Sequence, residues 1–235
     1  MMFTKSVPFY DVIYAFKDYS VEAQRLLEII REHQLSGGER LLDVACGTGK
    51  HLEFLKETYE VEGLDLSHEM LEIAQARTPD VLYHHADMLD FDLGREFDVV
   101  ICLFSSIGYV KTLDNLTRAV GCMSNHLLAG GVLIIEPWLT PDSWKPGTVH
   151  ANFIDEPELK IARMSNSCVE GRLSFFDFHY LIGTPEGVEY FVEHHELGLF
   201  ETEEMSGVMK TSGLEVIFDD EGLTGRGLFI GRKPR

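Results

Sequence analysis

An apolar segment that runs into two glycines, Leu41 to His51, constrains the fold of this chain more than any other stretch. Its first residues are apolar apart from Asp43, and Gly47 and Gly49 follow at once, so the pattern predicts a buried strand, a tight turn and the start of a helix. Glycine has no Cβ and reaches backbone angles denied to other residues, so a ligand can lie against such a turn beside a helix N-terminus. The segment therefore predicts an α/β fold with a nucleoside cofactor at the end of the strand.

The acid in this segment separates two kinds of cofactor. A dinucleotide fingerprint would place a third glycine at the position of Leu52, and it does not usually carry an acid four residues before the first glycine, where Asp43 lies. A turn that has an acid at its mouth and no pyrophosphate to bind suits a cationic ligand. S-adenosylmethionine, which has a sulfonium and an amino group, fits this description, with S-adenosylhomocysteine as its product.

The composition argues against several other classes of protein. The 235 residues suffice for one large core, and a formal net charge of −19 argues against binding along a nucleic-acid backbone, which requires clustered Lys and Arg. Residues 1–8 contain no apolar run, and no stretch approaches the ~18 apolar residues of a membrane span. The four cysteines form no C-x-x-C pair. We therefore expect a cytoplasmic protein with no metal site, no nucleic-acid partner and no membrane partner.

Strands and helices alternate regularly over the first 136 residues. The predicted strands are short apolar runs without polar alternation, as expected for a parallel sheet covered on both faces. We therefore predict a doubly wound, mostly parallel sheet of seven strands. Its strands are predicted at Arg40–Val44, Glu60–Leu64, Val81–His84, Phe97–Phe104, Val132–Glu136, Leu214–Asp219 and Gly227–Arg232.

Two of the predicted helices take a pair of glycines as their stop signal. The first begins at Ser20 as N-cap and ends at Gly37-Gly38. The other carries an apolar stripe from Leu113 to Leu127 and ends at Gly130-Gly131. Further helices are predicted from about Lys50, over Ser67–Ala76 and over Thr202–Thr211, and an aromatic segment that precedes the first helix, Tyr10 to Tyr19, could form a lid.

The pattern of apolar and polar residues changes after Pro137. Residues 149–200 contain stretches of period two, such as Phe176, Phe178 and Tyr180, with turn signals at 170–171 and 184–187. This pattern predicts an antiparallel sheet inserted after the fifth strand, where it would lie over the ligand crevice. We therefore divide the chain into a cofactor-binding α/β domain, residues 1–140 and 201–235, and an inserted substrate subdomain, residues 141–200.

Three acids end three successive strands. Asp65 can accept both ribose hydroxyls of an adenosine, and Asp87 can accept from the adenine amino group while Met88 covers the ring. An acid at a strand end also occurs for solubility or for helix-dipole reasons. Together with Asp43, however, the two acids form a group that a nicotinamide site does not need.

Two further strand ends carry candidate pocket residues. Leu103 to Tyr109 continues the fourth strand into a loop of small residues beside the place where a reactive methyl would lie, although Phe104 and Tyr109 could equally pack into the core. Glu136-Pro137-Trp138 ends the fifth strand and could line the same pocket. The histidine pairs, His84-His85 and His194-His195, lack a third ligand at suitable spacing and are read as hydrogen-bonded strand residues.

Arg226 has a glycine on each side, which lets the backbone bend so that the side chain can lean into the crevice. An arginine there in an acidic chain is expected to have an anionic partner. That partner is either the phosphate of a substrate or one of three nearby acids, Asp219, Asp220 and Glu221.

These motifs resemble those of the class I S-adenosylmethionine-dependent methyltransferases. Within that class they are similar to the N,N-dimethyltransferases that act on nucleotide-linked amino sugars, of the desosamine and mycaminose type, in macrolide pathways. The similarity runs nearly from end to end. It rests on Tyr10-Asp11, Lys17-Asp18-Tyr19, Leu41 to His51, Asp87-Met88, Phe104 to Tyr109, Glu136-Pro137-Trp138 and Gly225 to Phe229.

The resemblance implies roles for individual residues. Tyr109 would stand near the amine, and Tyr19 and Arg226 would approach the nucleotide diphosphate. With Trp138, these two form the predicted substrate-binding set. The predicted cofactor-binding residues are Tyr10, Asp43, Ala45, Gly47, Gly49, Asp65, Leu66, Met70, Asp87, Met88 and Leu103.

Three departures from the family lie in or near the inserted sheet. Asn166 stands where relatives carry histidine, and Val169 where they carry arginine. Leu139-Thr140-Pro141 follows Trp138 where relatives have a second tryptophan and a phenylalanine. The lost arginine removes a cation from the expected diphosphate side.

Methyl transfer from a sulfonium mainly requires that a neutral amine be held against the methyl carbon, because the cofactor is already activated. Tyr109, Tyr14 or His179 could orient the amine or take its proton, with tyrosine the weaker base because its ordinary pKa is near 10. We expect an N-methyltransferase that dimethylates a nucleotide-linked amino sugar. The alternatives are a methyltransferase for another small amine or acid and a cofactor-binding protein without catalysis, and a homodimer is left open.

Overall fold

A computed structural model of the protein describes residues 5–235. Residues 1–4, the first half of the N-terminal stretch in which the sequence shows no apolar run, lie outside this range. Among the described residues, no helix is both long and apolar enough to cross a bilayer.

Helices and strands alternate along the described chain. The helices are α1 (Tyr10–Ile13), α2 (Tyr19–His33), α3 (Leu52–Leu55), α4 (His68–Arg77), α5 (Leu113–Asn125) and α6 (Thr202–Thr211). The strands are β1 (Arg40–Val44), β2 (Glu60–Asp65), β3 (Leu82–His85), β4 (Phe97–Cys102), β5 (Leu127–Ile135), β6 (Val149–Glu156), β7 (Leu159–Glu170), β8 (Leu173–Thr184), β9 (Gly187–Gly198), β10 (Glu215–Asp219) and β11 (Leu228–Arg232).

The larger sheet has seven strands in the order β10-β11-β5-β4-β1-β2-β3. Strands β1 to β5 are parallel to one another, and β11 runs antiparallel between β5 and β10. Because β1 lies at the centre of the five parallel strands and the chain winds outward from it in both directions, the carboxyl ends of β1, β2, β4 and β5 meet at one edge. The predicted doubly wound sheet is confirmed, and this edge is where a ligand crevice forms.

Separate apolar clusters cover the two faces of this sheet. Leu42 and Val44 of β1 pack with α5 and α6 on one face, while Leu41 packs with α2 and α3 on the other. Side chains alternate between the faces of a strand, so a strand that is covered on both sides is apolar at nearly every position. This explains the continuous apolar runs in the sequence.

The smaller sheet consists of β6 to β9 in chain order, with each pair antiparallel. It lies in the chain between β5 and α6. Two of its three hairpin turns lie at the predicted positions, 170–171 and 184–187, and the turn between β6 and β7 was not predicted. Its last strand approaches the helical turn at residues 106–110 so closely that a Cβ at Gly108 would lie 2.9 Å from a methyl of Leu197. The inserted sheet is thereby fixed over the carboxyl end of β4.

Three predicted helix boundaries are wrong. Helix α2 has Asp18 as its N-cap, whose side chain accepts from the Val21 N–H at 3.1 Å, and it ends at His33 rather than at Gly37-Gly38. Helix α5 ends at Asn125, and Leu127 together with Gly130-Gly131 belongs to β5. The carbonyl of Gly130 accepts from Leu35 and Ser36, so tertiary hydrogen bonds turn this glycine pair into part of a strand.

Candidate active site

The turn after β1 is shaped by three residues in the left-handed region of backbone conformation. Ala45, Gly47 and Gly49 have φ angles of 61°, 54° and 73°. A Cβ on Gly47 would have no heavy atom within 4 Å, whereas one on Gly49 would lie 2.8 Å from the hydroxyl of Tyr83. Gly47 therefore faces open space where a ligand can approach the main chain, and Gly49 is required for close packing.

Asp65 closes this turn from the end of β2. Its Oδ2 accepts from the Gly47 N–H and its Oδ1 accepts from the Ser67 N–H, both at 2.8 Å. Burial raises the pKa of this carboxyl, and the two backbone hydrogen bonds act against that rise. Each oxygen retains acceptor capacity, so the carboxylate is oriented to receive a pair of vicinal hydroxyls.

Asp43 lies beneath the same turn and is 2% exposed. Burial, and secondly the nearby charge of Asp65, raise the pKa of the Asp43 carboxyl well above its ordinary value. Among the described residues no cation forms an ion pair with it. A positively charged ligand placed here would therefore favour the ionised carboxylate.

A small cavity of about 40 Å³ lies between these acids and the N-terminal segment. Five of the predicted cofactor residues line it, namely Tyr10, Asp43, Ala45, Gly47 and Leu103. Tyr19, which we predicted for the substrate, lines this cavity rather than the larger one described below.

The other predicted cofactor residues lie outside this small cavity. Asp87 and Met88 follow β3, and the Asp87 carboxylate accepts from the Leu89 N–H at 2.9 Å. Leu66 is 53% exposed beside the end of β2. Met70, in contrast, is 3% exposed on α4, so the structure assigns its side chain to packing.

The loop after β4 contains strained backbone that one buried acid holds in place. Phe104 and Ser105 have φ angles of 52° and 62°, a conformation that costs non-glycine residues about 1–3 kcal/mol each. Glu136, 1% exposed, accepts from the Phe104 N–H at 2.7 Å and from the Thr224 hydroxyl at 2.5 Å. Glu136 therefore joins the ends of β4 and β5 to the loop before β11, and it supports the pocket rather than lining it.

A larger cavity of about 450 Å³ lies beyond that loop, under the inserted sheet. It meets the small cavity at Tyr10, Phe104 and Ser106, which line both. This arrangement places a cofactor site and a substrate-sized space side by side. Other residues that line the larger cavity are Tyr14, Lys17, Tyr109, Trp138, Arg163, Phe178, Leu197 and Arg226.

The aromatic segment that precedes α2 covers the junction of the two cavities. Asp11 accepts from the Thr48 hydroxyl at 2.7 Å and also forms an ion pair with Arg77, which ties the segment to the glycine turn. Lys17 pairs with Glu22 at 2.7 Å and lies 4.1 Å from the ring centre of Phe104. The segment therefore lies where the sequence suggested a lid, and these contacts hold it over the junction.

The structure brings two of the three candidate catalytic residues into the larger cavity. Tyr109 contacts Nδ1 of His195 at 2.8 Å, and the Tyr14 hydroxyl accepts from Arg163 at 3.1 Å. His179 lies on the opposite face of β8 from the cavity residue Phe178, because neighbouring strand residues point to opposite sides. Its Nδ1 contacts the Tyr190 hydroxyl at 2.7 Å, so the structure does not bring His179 to the cavity.

Arg226 and Trp138 both lie where we predicted a substrate. Arg226 donates to the Ser105 hydroxyl at 3.1 Å and lies 5.5 Å from the ring centre of Trp138. Within residues 5–235 Arg226 forms no ion pair with the acids considered as an alternative, Asp219, Asp220 and Glu221, and Asp219 pairs with Arg25 at 3.3 Å. Trp138 donates its indole N–H to the Ser174 hydroxyl at 2.9 Å, which fixes its ring at the cavity wall.

Sequence reasoning missed two residues of this region, Arg163 and His195. Arg163 lies on the same side of β7 as the buried residues Ile161 and Ser165, a period-two signal that could have shown that it points inward. His195 alternates with His194 on β9, and only His195 is buried. No group of three metal-ligating side chains occurs within residues 5–235.

Comparison with known proteins agrees with this geometry. Residues 41–131 match the family model of a methyltransferase domain. The chain is 40% identical over 226 residues to dTDP-3-amino-3,4,6-trideoxy-alpha-D-glucopyranose N,N-dimethyltransferase of Streptomyces venezuelae, covering 94% of this chain and 95% of the relative. It is 41% identical to dTDP-3-amino-3,6-dideoxy-alpha-D-glucopyranose N,N-dimethyltransferase of Streptomyces fradiae, covering 94% and 88% of the two chains.

A solved structure is similar over the same length. It is the S-adenosylmethionine complex of CalS10, an amino pentose methyltransferase from Micromonospora echinaspora, with a TM-score of 0.87, 36% identity and coverage of 99% and 98% of the two chains. Because the sequence identity extends over nearly the whole chain and the cofactor edge has the expected acids and glycines, the chain belongs to the class I S-adenosylmethionine-dependent methyltransferases, in the same family as these N,N-dimethyltransferases.

Proposed function

We propose that this enzyme transfers methyl groups from S-adenosylmethionine to the amino group of a nucleotide-linked amino sugar, and that it does so twice. The names of the relatives that match nearly the whole chain support this substrate class. A cavity of about 450 Å³ beside the cofactor turn offers space for the sugar end of such a molecule.

The observation that carries the proposal is a pair of arginines without acid partners. Arg163 and Arg226 both line the larger cavity, and within residues 5–235 neither forms an ion pair. This is notable in a chain with 39 acids and only 20 Lys and Arg. Guanidinium groups bind phosphate oxygens through paired, charge-assisted hydrogen bonds, so a diphosphate is a fitting partner for Arg226.

Arg163 also bears on the departure at Val169. Both residues lie on β7 with the same side-chain direction, and Val169 is 42% exposed near the end of the strand. We infer that Arg163, six residues earlier, supplies a cation to this wall of the cavity in a chain that lacks the family's arginine at Val169.

The roles proposed for the cofactor residues follow from their positions. Asp65 receives the ribose hydroxyls, Asp43 faces the positive charge of the ligand, and Asp87 with Met88 receives the adenine. The two-part division of the chain is proposed on the same basis. Residues 1–140 and 201–235 bind the cofactor, and residues 141–200 cover the substrate.

In the reaction, the amine lone pair forms the new N–C bond as the C–S bond of the sulfonium breaks, and the surplus proton of the nitrogen leaves to solvent. Holding the two reactants in line can supply roughly 7–11 kcal/mol of the barrier, whereas a general base typically contributes ~10²–10⁴-fold in rate. We therefore assign Tyr109 and Tyr14 to orienting the amine at the junction of the two cavities.

The test is to incubate the protein with S-adenosylmethionine and a panel of nucleotide-linked aminohexoses, and to follow the mass of each sugar nucleotide. A gain of two methyl units on one panel member supports the proposal, and a gain of one limits it to monomethylation. Transfer to free small amines, with no transfer to any sugar nucleotide, would assign the enzyme to another amine substrate.

The homodimer left open by the sequence stays a prediction. The outer face of the inserted sheet carries exposed apolar side chains in one row across β6, β8 and β9, namely Phe153 at 70%, Leu181 at 48% and Tyr190 at 60% exposed. Light scattering of the protein and of a Phe153→Ser variant measures whether a second copy packs on this face.

A further inference from the structure

His195 contacts the hydroxyl of Tyr109 but does not line the substrate cavity. Its Nδ1 lies 2.8 Å from the Tyr109 hydroxyl, and the residue is 1% exposed. Tyr109 itself lines the cavity. His195 can therefore act on a substrate through this tyrosine without touching the substrate itself.

Two aromatic rings of β8 fix the orientation of the imidazole. Phe176 stacks on it with a centroid distance of 5.3 Å and an interplanar angle of 3°, and Phe178 meets it at 65° with a distance of 4.9 Å. The stack fixes the plane of the imidazole, and the contact of Nδ1 with the Tyr109 hydroxyl at 2.8 Å fixes which edge of the ring faces the tyrosine.

Both partners of this contact hold a defined protonation state. Burial lowers the pKa of His195 to about 4, in part against the charges of Glu193 and Asp177, which raise it, while Arg163 and His194 lower it further. Burial raises the pKa of the Tyr109 hydroxyl, with smaller contributions from Tyr14, Tyr180 and Glu193. A neutral imidazole therefore meets a protonated phenol, and a neutral imidazole has one donor and one acceptor nitrogen.

We propose that His195 is a positioning residue whose Nδ1 accepts the hydroxyl proton of Tyr109, so that the lone pairs of the Tyr109 oxygen face the cavity. A phenol that pointed its proton into the cavity would donate to the amine lone pair, the same electron pair that must attack the methyl carbon. A phenol held as an acceptor takes an N–H of the amine and leaves that lone pair free. This inference rests on the proposed function, because it assumes that the methyl acceptor is an amine.

The kinetic test compares four variants. His195→Phe keeps the aromatic stack but removes the acceptor, and should lower kcat by ~10-fold or more, on the scale of misplacing a reacting group, with KM little changed. His195→Asn, whose side-chain oxygen can take the place of Nδ1, should recover most of that loss.

The double variant Tyr109→Phe/His195→Phe should have a kcat no lower than that of Tyr109→Phe alone, since His195 acts through the tyrosine. Independent, multiplicative losses, or an Asn variant as slow as the Phe variant, would overturn the proposal.

A second measurement uses the free protein, so it does not depend on the substrate. In a sample with ¹⁵N-labelled histidine, the His195 ring is assigned from the signals that His195→Asn removes. The proposal requires an unprotonated Nδ1 and a protonated Nε2 from pH 8 to pH 5. A protonated Nδ1 in this range overturns it even if a nucleotide-linked sugar proves to be the substrate. An unprotonated Nδ1 combined with failure on every sugar nucleotide would leave the contact intact and refute only the substrate class.

Discussion

The cofactor turn and the substrate cavity differ in how far apart along the chain their parts lie. The hydrogen bond that closes the turn, from Gly47 to Asp65, spans 18 residues. The contacts that shape the cavity span 86 residues for Tyr109 and His195, and 149 for Tyr14 and Arg163. A site built from neighbouring strand ends is determined by local pattern, whereas a site built across the whole chain depends on how separate elements pack.

The two regions also hold their strained backbone differently. In the cofactor turn, two of the three left-handed residues are glycines, which adopt that conformation without a steric penalty. In the loop after β4, Phe104 and Ser105 bear the penalty, and Glu136, 32 residues further along the chain at the end of the neighbouring β5, offsets it. We therefore expect the cavity to depend on tertiary contacts more strongly than the turn does.

Glu136→Ala should give the largest effect, because it removes the acceptor that supports the cavity loop. Losing two hydrogen bonds to a buried carboxylate, each worth about 1.5–3 kcal/mol, should lower the stability by about 3 kcal/mol or more. For a chain of this size that corresponds to a fall in Tm of ~6–12 °C. Calorimetry measures the fall in Tm, and Glu136→Gln, which keeps one acceptor oxygen, should lie between the two proteins. A Tm that equals that of the unmodified protein would show that the loop needs no such support.

Asp65→Ala tests the cofactor side of the comparison. If Asp65 accepts the ribose hydroxyls, removing this carboxylate should weaken S-adenosylmethionine binding by ~1.5–3 kcal/mol, or about 10- to 150-fold in Kd. The exposed Asp80, which pairs with Lys56 on the surface, provides the matched control Asp80→Ala. Isothermal titration that gives equal Kd values for both variants would remove Asp65 from the cofactor site.

Arg226→Ala tests whether the cavity can lose an anion site without disturbing the turn. If Arg226 binds the diphosphate, KM for a nucleotide-linked substrate should rise about tenfold or more, while the Kd of S-adenosylmethionine stays the same. Arg232→Ala, which removes an arginine paired with Glu215 at the surface, should leave both values unchanged. A lower Tm with an unchanged KM would assign Arg226 to structure.

Asp43→Asn should give the smallest effect. It should raise the stability of the free protein and weaken the binding of S-adenosylmethionine. The pKa of Asp43 is raised in the folded protein, so the wild type loses stability as the pH rises above the ordinary pKa of an aspartate. The asparagine avoids that loss, so in the absence of cofactor its Tm should exceed the wild-type value by more at pH 8 than at pH 5. The same change should weaken S-adenosylmethionine binding. If the variant is less stable than the wild type at pH 8, the buried Asp43 carboxylate does not lower the stability of the folded protein.

The sequence by itself determined the large sheet, the position of the inserted sheet and the cofactor edge. These features depend on short-range patterns: apolar runs for buried strands, period two in Phe176 and Phe178, and glycines beside Asp43. The sequence-based prediction was wrong at Gly130-Gly131, because a glycine pair can either end a helix or lie in a strand. Only the hydrogen bonds that the Gly130 carbonyl accepts from Leu35 and Ser36 decide between these two structures.

Only the tertiary structure decided which side chains meet in the cavity. The sequence could not show that Tyr109 would face His195 or that Tyr14 would face Arg163, whereas period two along β8 could have shown that His179 points away from Phe178. A one-residue shift in strand register reverses the face of every side chain, and register is fixed by packing between elements that lie far apart in the chain. The residues of the cofactor edge can therefore be identified from short stretches of sequence. The residues of the substrate cavity are brought together only when the inserted sheet packs over the carboxyl end of β4.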